Sequence, residues 1–369
     1  MVWESRRCCV SRVKKSLPQG LSVVIQETYK AIIDSYRPKL VPLEDNLTAA
    51  VFPFMKIFPA EFCLRKAREE GRIRSQTLIV ETSSGNLALG LALVCNLSGY
   101  RLTIVSDYAC DGFLRRRLED LGARVEIVSA PSVNGGYQRA RLNRLEEIRE
   151  TSPEHFWVNQ YDNPGNPGAF SFLAAQLVEA LGQIDCLVGT VGSGGSVCGT
   201  SGFLRELFPE MTTVGVDTFG SVLFGQPDQI RTLRGLGNSV LPKNLDHRLF
   251  DEVHWVTAAE AYKATRMLHQ QSTLFCGGTS GAAWLVARHW AKKNPKAKVV
   301  CILPDDGYRY TDTIYSDEYL WKENLWLPEL PECPREVDHP LKAGPVWSRM
   351  QWGRREYSDV IKSTVSAAV

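Results

Sequence analysis

From residue 77 onward, short apolar runs of strand length alternate with longer segments whose apolar residues recur at helical spacing. Residues 77–80, 102–106 and 124–128 read as strands, and 86–97, 113–121 and 137–149 as helices. Gly99 and Gly122 stand where the first two helices must stop. After the turn-rich segment 162–167 the alternation resumes. It predicts helix 169–181, strand 186–190, helix 197–207, strand 213–216, helices 258–268 and 282–291, and strand 299–303. Strands separated by helices pair in parallel, because the helix carries the chain back to the starting edge. The expected fold class is therefore α/β, with two parallel-sheet units and a cleft between them. The smaller unit is expected at 39–165 and the second at 166–330, with 1–38 as an N-terminal extension. Residues 331–369, with Pro331, Pro334, Pro340 and Pro345, read as a tail wrapping the surface.

The chemistry sits at the junctions. Gly192-Ser193-Gly194-Gly195-Ser196 lies between the strand at 186–190 and the helix that follows. Three glycines let the backbone approach a ligand closely, and the loop N–H groups and helix N-terminus point at one spot, a cradle for a phosphate. A tight turn that binds nothing is the plain alternative. Three further loops stand at strand-to-helix junctions, where open α/β sheets place ligands. They are Glu81-Thr82-Ser83-Ser84-Gly85-Asn86, Gly277-Gly278-Thr279-Ser280-Gly281 and Leu303-Pro304-Asp305-Asp306-Gly307. The first offers hydroxyls and an amide to a carboxylate, unless Ser84 or Asn86 merely caps the helix.

Composition narrows the partners. A 44% apolar, 23% charged chain of 369 residues is that of a soluble globular protein with a sizeable core. A formal charge of +2 gives no reason to expect nucleic acid or an anionic membrane, and no run is long enough to span a bilayer. The N-terminus is basic (Arg6, Arg7, Arg12, Lys14, Lys15) with no apolar stretch of signal-peptide length behind it. Cys63, Cys95, Cys186, Cys198 and Cys301 lie in apolar runs, no CxxC spacing occurs, and adjacent Cys8 and Cys9 cannot readily bridge each other. Reduced, buried thiols in a cytoplasmic protein are expected. The six histidines, His247 and His254 among them, show no metal-ligand spacing, so no metal is expected.

The order of the loops resembles the cysteine synthase / cystathionine β-synthase family of pyridoxal-phosphate enzymes, with its tryptophan synthase β-like fold. The matching strings are Ser83-Ser84-Gly85-Asn86, Gly192 to Ser196, Gly278-Thr279-Ser280-Gly281 and Ile302-Leu303-Pro304-Asp305-Asp306-Gly307. Asn159-Gln160-Tyr161-Asp162-Asn163-Pro164-Gly165-Asn166-Pro167 resembles a fifth family segment. The likeness covers residues 38–320 and implies the cofactor in the cleft between the two domains. It implies that Gly192, Ser193, Gly194, Gly195 and Ser196 hold the cofactor phosphate and that Asn86 bonds the phenolic oxygen of its ring. Thr279 would face the ring nitrogen, where the family has serine; Ser280 stands beside it. Thr82, Ser83, Ser84 and Gln160 would hold the substrate α-carboxylate.

Such chemistry needs a lysine that carries the cofactor and later moves the α-proton. The family's lysine string is absent here. A gapless count back from Ser84 puts the lysine on Lys56, in Phe54-Met55-Lys56-Ile57-Phe58-Pro59, whose apolar neighbours favour burial and a lowered pKa. Pro59 fits the first turn of a helix starting just after it. A rival alignment, with about ten residues deleted, puts it on Lys66 instead.

The resemblance implies β-replacement, or β-elimination, on a serine- or cysteine-type amino acid by way of an α-aminoacrylate, with a nucleophilic co-substrate. Specialised amino-acid biosynthesis and a homodimer are expected. Arg234-Gly235-Leu236-Gly237 departs from the usual lid sequence, and its positive charge would suit an acidic leaving group or nucleophile. Tyr161 stands where sulfhydrylases often have Phe. The competing readings are a non-catalytic cofactor-binding or regulatory relative and an eliminating deaminase of Ser/Thr.

Overall fold

A computed structural model describes residues 31–133 and 136–362. The chain divides into two units, Met1–Ser35 and Tyr36–Val369. Of the first, only 31–35 are described, within a 3-10 turn Ile32–Tyr36 that has no buried residue. Cys8, Cys9 and the basic residues Arg6 to Lys15 lie outside the described residues.

Two sheets organise the second unit. One has four strands, all parallel, in the order β5 (Arg124–Ile127), β4 (Arg101–Ser106), β3 (Leu78–Thr82) and β6 (His155–Trp157). The other has eight, in the order β1 (Lys39–Glu44), β2 (Leu47–Val51), β10 (Val299–Leu303), β7 (Cys186–Thr190), β8 (Thr212–Thr218), β9 (Glu252–Val256), β12 (Ser348–Gln351) and β11 (Arg335–Glu336). Its middle five strands are parallel, with β1 and β12 pairing antiparallel at either side. Every residue of β10 is buried, as an apolar strand covered on both faces must be.

The helices positioned by these strands are α1 (Ile57–Glu69), α2 (Asn86–Ser98), α3 (Gly112–Asp120), α4 (Gly136–Thr151), α5 (Ser171–Leu181), α6 (Gly195–Leu207), α7 (Ala258–Ser272) and α8 (Gly278–Lys293). In α1, Ile57, Ala60, Cys63, Leu64 and Ala67 form one buried stripe at helical spacing. Glu61, Arg65 and Glu69 ladder its exposed side through i,i+4 pairs. A Cβ on Gly90 of α2 would lie 2.6 Å from the Lys56 carbonyl oxygen, so only glycine lets α1 start this close to α2. A capping box at Thr257 and Glu260 starts α7.

Two expectations change. Residues 39–51 were expected with the smaller unit, yet β2 pairs with β10 and carries β1 into the eight-stranded sheet. Apolar Leu47, Ala49 and Ala50 are fully buried by that pairing, which spans some 250 positions and leaves no local trace. Within the segment expected to wrap the surface, β12 and β11 instead join the edge of the large sheet, while much of 331–346 lies exposed. Trp347 and Trp352 are buried, and Trp347 donates from Nε1 to His254 Nδ1 at 3.0 Å. No helix among the described residues is long and apolar enough to cross a membrane.

Candidate active site

The loops singled out in the sequence meet along one seam. The segment before α1 runs beside the end of β10: Phe52 N–H donates to Leu303 O, Met55 N–H to Pro304 O, and Asp306 N–H to Pro53 O. Gly277 N–H then donates to Asp305 O at 3.2 Å, placing the Gly277–Gly281 turn on the other side of Asp305. Thr279 Cγ2 lies 3.4 Å from where a Cβ on Gly235 would stand, and Gly235 O lies 3.2 Å from the same point on Gly192. The lysine segment, the Asp305 loop, the threonine turn, the Gly235 loop and the glycine-rich loop therefore follow one another.

At one end of this seam stands Lys56, the residue before α1, half-buried among buried Phe54, Met55 and Ile57. Burial lowers its ammonium to about 8. Its side chain has no ion-pair partner among the described residues. Lys66 sits elsewhere, on the outer face of α1, 46% exposed and 3.9 Å from Glu70. Burial therefore separates the two lysines that the sequence left open.

Thr82 and Ser83 are buried, while Ser84, Gly85 and Asn86 are half-open. Ser83 Oγ accepts from Gly85 N–H and Ala88 N–H, both at 3.3 Å, so this hydroxyl serves the start of α2. Thr82 N–H donates to Glu81 Oε1. Burial pushes the Glu81 carboxyl up to about 7 against the pull of its bonds from Thr82, Trp157 and Gln160. Asn86 donates from Nδ2 to Asp305 Oδ2 at 2.7 Å and accepts from Arg309 Nη1 at 3.3 Å. Arg309 also holds Asp111, the N-cap of α3, at 2.7 Å.

The glycine-rich loop is built for close approach. Gly194 takes φ +79°, and a Cβ there would fall 2.8 Å from Asn244 O. A Cβ on Gly195 would collide with the Asn166 side chain. No side chain caps α6, so its first N–H groups have no side-chain acceptor. Asn166, which sequence reasoning did not single out, donates to Gln160 O at 2.7 Å and Ser193 Oγ at 3.0 Å. Its Oδ1 and the hydroxyl of Ser280 are buried without a partner. Its signal was the second Asn-Pro pair of the 159–167 string. Arg141 on α4 was also missed, because it belongs to a helix with a single arginine-rich polar pattern; it donates from Nη1 to Ser84 Oγ at 3.2 Å.

A glycine cradle at an uncapped helix start, a buried amine with a lowered pKa, and orphaned polar atoms between them fit a phosphate-bearing carbonyl cofactor. The model for pyridoxal-phosphate dependent enzymes matches residues 55–305, more than half of the chain. Over 268 residues the chain is 37% identical to the N-(2-amino-2-carboxyethyl)-L-glutamate synthase of Cupriavidus metallidurans, spanning 71% of this chain and 79% of the relative. The corresponding synthase of Ralstonia nicotianae is 35% identical over 294 residues, 76% and 87% of the two chains. The crystal structure of O-acetylserine-dependent cystathionine β-synthase from Helicobacter pylori superposes with a TM-score of 0.72 at 25% identity, covering 79% of this chain and 100% of that one. With its cradle, buried lysine and the match across both sheets, the chain belongs to the pyridoxal-phosphate dependent enzyme family.

Proposed function

We propose that the chain joins the amine of an amino acid to the β-carbon of a serine-derived donor, a β-replacement that makes a carbon–nitrogen bond. The observation that carries this reading is Lys56, half-buried with its amine lowered to about 8, in a chain whose relatives over most of its length are named for such a product. N-(2-amino-2-carboxyethyl)-L-glutamate is a glutamate whose nitrogen bears a three-carbon amino acid.

In this reading Gly192 to Ser196 and the positive end of α6 hold the cofactor phosphate. Asn86 would bond the phenolic oxygen of the ring, and Thr279, with Ser280 beside it, would meet the ring nitrogen with a neutral hydroxyl. Pyridoxal phosphate, when bound, supplies an electron sink for the charge that develops at Cα. Thr82, Ser84 and Gln160 hold the substrate α-carboxylate, with Ser83 contributing through the helix start that it caps. Lys56 would hold the cofactor through its amine, and the same amine, once free, would take the proton from Cα and return it there after the replacement. Its lowered pKa keeps a useful neutral fraction near pH 7–8 for that transfer. The Cβ–leaving-group bond breaks, the amine nitrogen bonds to Cβ, and that nitrogen gives up one proton.

The test is incubation of the cofactor-loaded protein with O-phosphoserine or O-acetylserine and L-glutamate, with products read by mass spectrometry. An adduct joined through nitrogen supports the reading. Pyruvate and ammonia alone assign an eliminating deaminase, and no turnover together with no visible band from lysine-bound cofactor assigns a non-catalytic relative. A homodimer and a cytoplasmic location are part of the same proposal. The first rests on family likeness, and the second on seven buried, unbridged cysteines among the described residues.

A further inference from the structure

A single line of hydrogen bonds runs from the loop after β3 to the glycine-rich loop before α6. Thr82 N–H donates to Glu81 Oε1 at 2.7 Å, and Gln160 N–H donates to Oε2 of the same carboxylate at 3.2 Å. The Gln160 carbonyl accepts from Asn166 Nδ2 at 2.7 Å, and the same amide group donates to Ser193 Oγ at 3.0 Å. Asn244 Nδ2 adds a second bond to the Gln160 carbonyl at 2.9 Å, while the Asn244 carbonyl oxygen backs Gly194. The Gln160 backbone is thus pinned on one side to the carboxylate loop and on the other to the cradle.

Asn166 is where the line crosses into the large sheet. It lies in the short helix Gly165–Gly168 and is 1% exposed. Both of its N–H donors are spent on the two loops, whereas Oδ1 is buried with no partner among the described residues. An unmet buried acceptor costs stability, and a small apolar side chain here would avoid that cost. What favours asparagine is therefore what its donors hold. By giving an N–H to Ser193 Oγ, it leaves the Ser193 O–H to donate to an anion in the cradle. Its side chain also fills the place that a Cβ on Gly195 would take, so any shift of the first turn of α6 presses on Asn166 and through it on Gln160.

We propose that Asn166 is a positioning residue that couples the phosphate cradle to the substrate-carboxylate loop. Filling the cradle sets Gln160 for the carboxylate, and a carboxylate on the 82–84 loop tightens the hold on the phosphate. The inference rests on the cradle and carboxylate roles proposed above, and not on the identity of the nucleophile. Such coupling is reciprocal, so it is readable from either side.

The experiment uses cofactor-loaded wild type, Asn166→Ala, Ser193→Ala and the double variant. Donor binding is read from the shift of the visible cofactor band on titration with O-acetylserine, which needs no nucleophile. Ser193→Ala is expected to weaken donor binding about fivefold alone and by less than about 1.5-fold beside Asn166→Ala. Equal losses in both backgrounds, the result expected if Ser193 touches the donor itself or if both residues only support the fold, overturn the proposal. Asn166→Asp keeps the shape of the side chain but, when ionised, has no N–H to give. Donor binding as tight as wild type in that variant also overturns the proposal. Wild type by itself gives a reading that requires no variant to fold. Propionate, a carboxylate without an amine, is expected to tighten cofactor retention in equilibrium dialysis about fivefold, and by less than about 1.5-fold in Asn166→Ala. No tightening in wild type overturns the proposal. Gln160→Ala separates this inference from the reading beneath it. Donor binding unchanged in that variant sinks the carboxylate role and the coupling together, whereas donor binding lost there with equal losses in the Ser193 comparison sinks the coupling alone.

Discussion

Asn86 at the start of α2 donates to the buried carboxylate of Asp305, 219 positions away, at 2.7 Å. This bond ties the loop after β3 in the small sheet to the loop after β10 in the large one. Arg309 fixes the other end of the same amide, so both atoms of the Asn86 amide are assigned by their partners. Asp305 Oδ2 also accepts from the Tyr310 hydroxyl at 2.7 Å.

Asp305→Ala therefore removes the acceptor of two part-buried donors at once. The expected result is a loss of about 2–3 kcal/mol in stability and cofactor retention weakened by roughly tenfold. Thermal unfolding and the cofactor-to-protein ratio after dialysis measure both. An unchanged ratio would remove Asp305 from the site.

Gly194→Ala is expected to abolish tight cofactor binding, because a Cβ would meet the backbone of Asn244 and Leu245 at 2.8–2.9 Å from a left-handed conformation. Gly202 on the same helix has nothing within 4 Å of that position. Gly202→Ala should leave cofactor content intact and stabilise by about 0.5–1 kcal/mol. Equal behaviour of the two variants in equilibrium dialysis would contradict the cradle.

Lys56 links stability to pH in the cofactor-free protein. Its folded-state pKa, about 8, lies below the ordinary lysine value of 10.5, so between those values the unfolded chain binds more protons. Its contribution to stability accordingly rises with pH across that window and is most unfavourable below about 8. Lys56→Met should be more stable than wild type at pH 7 by about 2–3 kcal/mol, with the gap closing towards pH 10.5. Urea titrations at pH 7 and 10.5 check this; a gap independent of pH would mean that the amine is not desolvated.

Trp347 and the strand β12 that follows it are predicted to behave as core. Trp347→Phe keeps most of the buried volume but leaves His254 without the indole donor. A loss of about 1–3 kcal/mol is expected with cofactor content unchanged. Denaturant unfolding and the visible spectrum separate the two effects.

Local pattern sufficed for the elements that alternate in order. The predicted strand 186–190 is β7, and the helices begun at 86 and ended at 207 keep those ends in α2 and α6. Apolar periodicity and glycine stops are properties of neighbours in the chain, so they are legible there. The short strands β2, β6 and β12 were not, because their apolar residues are too few to show a period and owe their burial to partners far away. The same division holds in the site. The loops and their resemblance to the family, both read from the sequence, brought Lys56, Ser84, Asn86, Gly192 to Ser196 and Thr279 forward as candidates. What only the tertiary structure decided is which lysine loses its water, that Ser83 is spent on a helix start, and that Asn166 and Arg141 stand beside the loops. Desolvation and hydrogen-bond partnership depend on what the other sheet brings into contact, and no spacing along the chain encodes that distance.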